Sequence, residues 1–255
     1  MKHIGINYAS FIVIILNLIL FSQFIKCFNR KIELAEHYIK LKVKGDGYIN
    51  IYSKFYRGIK PNIVNINNII NLTDSQVDNI RYFNCLENTI NNITLIWNEP
   101  LGSINSLFQR CNNITEIDLS HFDTSQVTDM RSMFDSCSSL ISLNLDNFDT
   151  SKVENMGNMF TLCSALTSLN LSSFDTKRVS HMGVMFGGCS SLKSLDLSNF
   201  NTSSVTVMEN MFRFCSSLTS LNLINFNTSS VSYMLYMFYG CSLLSSLDLS
   251  NFDTS

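Results

Sequence analysis

The chain has 255 residues, 45% of them hydrophobic, and a formal net charge of −2. That is ample apolar material for a core, while a near-neutral chain with 15% charged residues offers no basic surface for nucleic acid. Only two prolines occur, so no rigid linker marks a domain boundary.

Residues 1–28 read as a signal peptide or signal anchor. Lys2 and His3 precede an apolar run from Phe11 to Phe21 and then a more polar SQFIKC. A run this short fits a cleaved secretory signal, with a mature chain beginning near Phe28, because a full span needs roughly 20 residues. Counted from Ile4 to Ile25, the same region is long enough for an uncleaved anchor.

Residues 29–84 carry a different pattern. Ile39, Leu41 and Val43 alternate with lysines, Gly45-Asp46-Gly47 supplies a turn, and Ile49 and Ile51 alternate beyond it, which predicts a hairpin. An Asn/Ile-rich run follows, and the segment is expected to form a small β-rich N-terminal cap. From Cys111 onward a 26-residue period is unbroken, with Cys111, Cys137, Cys163, Cys189, Cys215 and Cys241 in one column and Phe122, Phe148, Phe174, Phe200, Phe226 and Phe252 in another. Such a period means stacked repeats. Stepping back one period places Cys85 before Cys111 and Ile93 before Leu119, so residues 85–110 form a degenerate first repeat and residues 111–255 the regular ones, truncated at the C-terminus. Trp97, in the degenerate strand, suits either a binding hot spot or a seal between cap and stack. The sequence stops at Asn251–Ser255 in a strand and turn, and further repeats, a stalk or an anchor are expected beyond it.

Within one unit, Leu140, Leu143 and Leu145 predict a short strand. From Val153 the apolar positions Met156, Met159, Phe160 and Cys163 step by three and four, which predicts a helix of about three turns. Ser151 and Glu154 have the spacing of a capping box at its start. The expected fold class is therefore α/β: a right-handed solenoid with a parallel strand sheet and short helices, preceded by the β-rich cap.

These residues, the LxxLxL, the Phe-Asp-Thr-Ser turn and the Val-x-x-Met-x-x-Met-Phe-x-x-Cys segment, resemble the BspA-like leucine-rich-repeat surface proteins. The resemblance covers somewhat more than half the chain. It implies a secreted or surface-attached binding protein and supplies no catalytic residues.

The cysteine column lacks CxxC or Cys/His ligand spacing, so neither a metal nor a cofactor is expected. Small buried thiols or stacked disulfides are the alternatives, and equivalent positions on parallel repeats suit bridge geometry poorly. The outward strand positions Ser142, Asn144, Asp146, Ser168, Asn170, Ser172, Ser194, Asp196 and Ser198 form a polar, mildly acidic face suited to a protein or glycan partner, or simply to a solvated sheet. Along the other half of the unit, polar residues give way to Tyr233, Leu235, Tyr236 and Tyr239, a docking patch or a surface covered by a C-terminal continuation. Six N-x-S/T sequons mark Asn71, Asn92, Asn113, Asn170, Asn201 and Asn227 as glycosylation candidates. Scattered histidines and the absence of a GxSxG or phosphate loop speak against an enzyme. The expectation is a non-enzymatic adhesion or recognition protein, secreted or at the cell surface. It would meet membrane only through the N-terminal segment or a C-terminal anchor. A structural coat or spacer and an intracellular scaffold are the alternatives.

Overall fold

The computed structural model describes residues 37–44, 47–67, 70–73, 82–85 and 90–253. The N-terminal apolar run lies outside the described residues. The described residues form ten strands: β1 (Tyr38–Lys44), β2 (Gly47–Asn50), β3 (Ile63–Ile66), β4 (Ile70–Thr73), β5 (Tyr82–Cys85), β6 (Ile90–Ile96), β7 (Ile114–Asp118), β8 (Ser142–Asn144), β9 (Ser194–Asp196) and β10 (Ser220–Asn222).

Six strands join in the order β4-β3-β6-β1-β7-β8, in which β1 runs antiparallel to both β6 and β7, and β7 runs parallel to β8. The predicted hairpin does not form, because β2 pairs with β5 instead of β1. Alternation in β1 explains its place: Ile39, Leu41 and Val43 are buried, while Lys40, Lys42 and Lys44 face out. The strand of the degenerate repeat, β6, is thereby separated from the first regular strand, β7, by β1. The turn half of that repeat does stack directly, with the amides of Ile104, Ser106, Phe108 and Arg110 donating to the carbonyls of Asp129, Arg131, Met133 and Asp135.

The α/β expectation is corrected: among the described residues there is no helix. The segment expected to be helical is a chain of turns bonded to the next coil. In one coil, the amides of Met130, Ser132, Phe134 and Ser136 donate to the carbonyls of Asn155, Gly157, Met159 and Thr161 at 3.0, 2.9, 2.9 and 2.7 Å. Intervening amides close i→i−3 turns, such as Met133 to Met130 and Cys137 to Phe134. A parallel ladder of single bridges, Ser103–Asp129–Asn155–His181–Val207–Tyr233, runs down this side. Two residues per coil are left-handed, as at Ser132 (φ 55°) and Ser136 (φ 62°) or Asn158 (59°) and Leu162 (57°), and a right-handed helix cannot contain them. Nor do Ser151 and Glu154 form a capping box, because their amides go to Asp149 Oδ1 and to the Thr128 carbonyl, each at 2.9 Å.

Spacing gives the physical reason. Side-by-side helices need about 8–10 Å, whereas paired strands sit about 4.8 Å apart. Phenylalanine rings on the turn side stack at 5.5–6.1 Å from Phe108 through Phe134, Phe160, Phe186 and Phe212 to Phe238, and those on the other side at 6.1–6.3 Å. The coils are nearly equally spaced on both sides, which leaves no wedge for a layer of helices.

One continuous core runs from Ile39 in the cap to Met237, carrying the Val, Met, Met-Phe, Cys and Leu columns at close to zero exposure. Trp97 seals the junction: it is 2% exposed, meets Phe122 edge-on at 5.3 Å, and donates its Nε1–H to the Ile59 carbonyl at 2.8 Å.

Candidate functional site on the outer strand face

Turns between coils are held by side chains that the sequence places in two columns. Thr150, Thr176 and Thr202 are at most 1% exposed, and each uses one hydroxyl twice. Thr176 Oγ1 donates to the Asn201 carbonyl and accepts from the Asn201 amide, both at 2.9 Å, and Thr150 and Thr202 do the same one coil on. The preceding Asp or Asn accepts from the amide two residues ahead, as Asp149 does from Ser151 at 2.9 Å and Asn201 from Ser203 at 3.0 Å. Ser125 does the same for Asp123, its amide first and hydroxyl second holding that carboxyl below the usual range.

The thiols form another ladder. Cys137, Cys163, Cys189, Cys215 and Cys241 each donate to a phenylalanine carbonyl of the preceding coil, at 3.0–3.2 Å, from Phe108 through Phe212. Cys111 through Cys241 are free thiols, and burial pushes Cys137 and Cys189 up to about 12. Among the described residues no cluster of three or more His, Cys, Asp or Glu side chains is arranged to hold a metal ion.

The outward strand residues come together as one face. Glu116 pairs with Ser142 and Asp118 with Asn144 across β7 and β8, and Ser194 pairs with Ser220 and Asp196 with Asn222 across β9 and β10. Ser142, Asp146, Ser168, Asn170, Ser172, Ser194 and Asp196 are exposed, while Asn144 and Ser198 are half-buried. Much of the acceptor capacity is used internally. Asp118, Asn144, Asn170, Asp196, Asn222 and Asp248 each accept, through Oδ1, the amide two residues ahead, at 2.9–3.2 Å. Ser198, through its amide and then its hydroxyl, holds the Asp196 carboxyl low. No two acidic residues are adjacent in this column, and the amides of Asn144 and Asn222 donate to Asp118 and Asp196 at 3.2 and 3.0 Å. Adjacent carboxylates one coil apart would repel.

Where this face meets the cap it forms a groove of about 490 Å³ across β6, β1, β7 and β8, lined by Lys40, Lys42, Thr94, Glu116, Asp118 and Ser142 among others. Lys42 pairs with Glu116 at 2.6 Å. Lys40 lies 5.1 Å above the Tyr38 ring, and Tyr38 in turn stacks on His121 at 4.6 Å. Partial burial works against ionisation of Asp118, but Ser120 outweighs it, with smaller help from Lys40 and His121, and the carboxyl lies below its usual range. Lys40, Lys42 and Thr94 are not apparent as site residues from sequence. Their outward direction is readable from the alternation in β1, but the placement of β1 beside β7 is not.

Tyr233, Leu235, Tyr236 and Tyr239 are 54–66% exposed on the turn side, and the structure adds Phe214 at 49% and Arg213 to their group. Of the sequon residues, Asn71 lies in β4 and Asn92 in β6. Asn113 donates to the Lys44 carbonyl, and Asn170, Asn201 and Asn227 are exposed turn formers.

The architecture is a stack of 26-residue strand-and-turn coils behind a β cap. The family described as "Mycoplasma protein of unknown function, DUF285" matches residues 102–195 and, overlapping them, 168–255. The two matches together span more than half of the chain and cover its regular coils, so the chain belongs to this family. No curated protein and no solved structure matches it. Among the described residues no helix is long and apolar enough to cross a membrane.

Proposed function

We propose that the chain is a non-catalytic recognition protein of the cell surface or its surroundings, taking a protein or glycan ligand along the outer strand face. The observation that carries this is the groove at the cap junction. There lysines, carboxylates and hydroxyls converge on a rigid sheet, and Lys40 has no carboxylate within 4 Å among the described residues. A mixed set of fixed donors and acceptors suits a polyhydroxylated or polar ligand. The resemblance to BspA-like surface proteins and the N-terminal apolar run support the same setting.

The structural spacer is favoured by one specific feature: the Asp/Asn column spends its oxygens on the chain's own amides, as a face built for solubility would. Probing glycan and protein arrays with the full chain and with a Lys40→Ser/Ser142→Arg variant separates the two. Recognition requires a signal that the variant loses, whereas the spacer requires that neither protein bind.

A further inference from the structure

The turn side of the last described coils holds a second surface. Arg213 and Phe214 lie in a coil covered on both sides, since the Gly188 amide donates to the Arg213 carbonyl and the Phe214 amide donates to the Tyr239 carbonyl. Their exposure therefore belongs to the flank of the stack, not to its end. The Arg213 guanidinium sits 4.8 Å from the Phe214 ring, 5.5 Å from Tyr239 and 5.7 Å from Tyr236. Tyr239 meets both other rings edge-on, at 5.4 Å to Phe214 and 5.9 Å to Tyr236. Gly240 makes the arrangement possible: it is left-handed (φ 80°), and a Cβ there would lie 2.6 Å from Phe214 Cδ1.

A guanidinium presents five N–H donors. Here one terminal nitrogen donates to Asn210 Oδ1 at 3.3 Å, and Nε is buried without an acceptor among the described residues. No carboxylate lies within 4 Å of it among the described residues, whereas Arg178 on a neighbouring coil pairs with Glu154 at 3.2 Å. The rings hold the cation in place and its terminal fork is engaged only by the single long bond to Asn210, which leaves N–H donors for a planar carboxylate that matches that fork. Tyrosine and arginine at the centre of an apolar patch are the residues that dominate protein interfaces.

We propose that this surface docks an acidic segment of a partner protein. An Asp or Glu carboxylate closes end-on against Arg213, and flanking apolar side chains rest on Phe214, Tyr236 and Tyr239. The unpaired charge argues for an acidic partner, and the surrounding rings argue for one with apolar neighbours rather than a bare anion.

The test titrates the full chain with the peptide Ac-Leu-Glu-Asp-Leu-Glu-Leu-NH2, with its Gln/Asn counterpart, and with inorganic phosphate, following the tyrosine ring resonances by NMR. The acidic peptide is expected to shift Tyr236 and Tyr239, the amide peptide to bind at least about tenfold more weakly, and Arg213→Gln to lose the effect. Arg213→Lys, which keeps the charge without the fork, is expected to weaken binding severalfold. If Arg213→Gln fails to unfold cooperatively, Tyr236→Ser takes its place and must weaken the peptide about fivefold or more. The proposal is overturned by equal binding of both peptides, by phosphate producing the same shifts, or by no ring shift with acidic peptide at about 1 mM.

Discussion

Replacing Thr176 by valine keeps its shape and removes one oxygen, and the coil geometry makes that oxygen count twice. Thr176 is fully buried, and its hydroxyl both donates to the Asn201 carbonyl and accepts from the Asn201 amide at 2.9 Å. Valine leaves both backbone groups without that partner, at about 1–3 kcal/mol for each buried group left unsatisfied. Allowing for partial access of water to the pair, Thr176→Val is expected to cost about 2–4 kcal/mol. Thr176→Ser keeps both bonds and loses one methyl, worth about 1 kcal/mol. Urea denaturation of the two variants checks the order. A hydrophobic account of the column predicts the opposite ranking, so a valine variant as stable as the serine variant would refute the threonine ladder.

Phe174→Ala removes a ring stacked between Phe148 and Phe200 at 6.1 and 6.3 Å and is expected to cost about 3–5 kcal/mol, against at most about 0.5 for exposed Lys193→Ala; comparable denaturation midpoints would contradict this. Because burial raises the Cys137 and Cys189 thiols from 9.0 to about 12, their contribution is intact below pH 9 and lost as pH climbs towards 12. Stability should fall by about 1.4 kcal/mol per pH unit per thiol in that window, and a Cys137→Ala/Cys189→Ala variant should show a shallower decline in urea midpoint. Leu162 is 51% exposed at φ 57°, so Leu162→Gly is expected to be neutral or to raise the melting temperature, where an ordinary buried leucine would lower it.

The repeat length, the inward columns and the polar strand face were legible because each residue type recurs at one position per coil. The helix was misread because Met156, Met159, Phe160 and Cys163 keep a three-and-four spacing that successive i→i−3 turns share with a helix. Asn158, Gly188, Asn210 and Gly240 carried the contrary signal, since these residue types accept positive φ most readily, but Val184 and Phe214 in the same columns obscured it. Strand order in the cap was not legible. Alternation shows which way Lys40 and Leu41 point, yet pairing of β1 with β6 and β7 depends on which strands meet in three dimensions, and Gly45-Asp46-Gly47 suggested a hairpin partner instead. The thiol column was legible as small and buried, but not as a set of donors to the phenylalanine carbonyls. Tyr233, Leu235, Tyr236 and Tyr239 were found as a group, whereas Arg213 was not, because its role depends on rings from two coils.

Cys137, Cys163, Cys189 and Cys215 are buried at the contact of their own coil with the one before it, so a reagent reaches these sulfurs only when that contact opens. Alkylation rates then report, coil by coil, how often neighbouring repeats part. When opening and closing are fast relative to the chemistry, the rate at Cys163 measures the opening equilibrium between the Phe134 and Cys163 coils, and the rate at Cys215 measures the one two coils on. The chain thus carries a regularly spaced series of native clocks, from which a profile of local stability along the stack is obtained without adding a single label site.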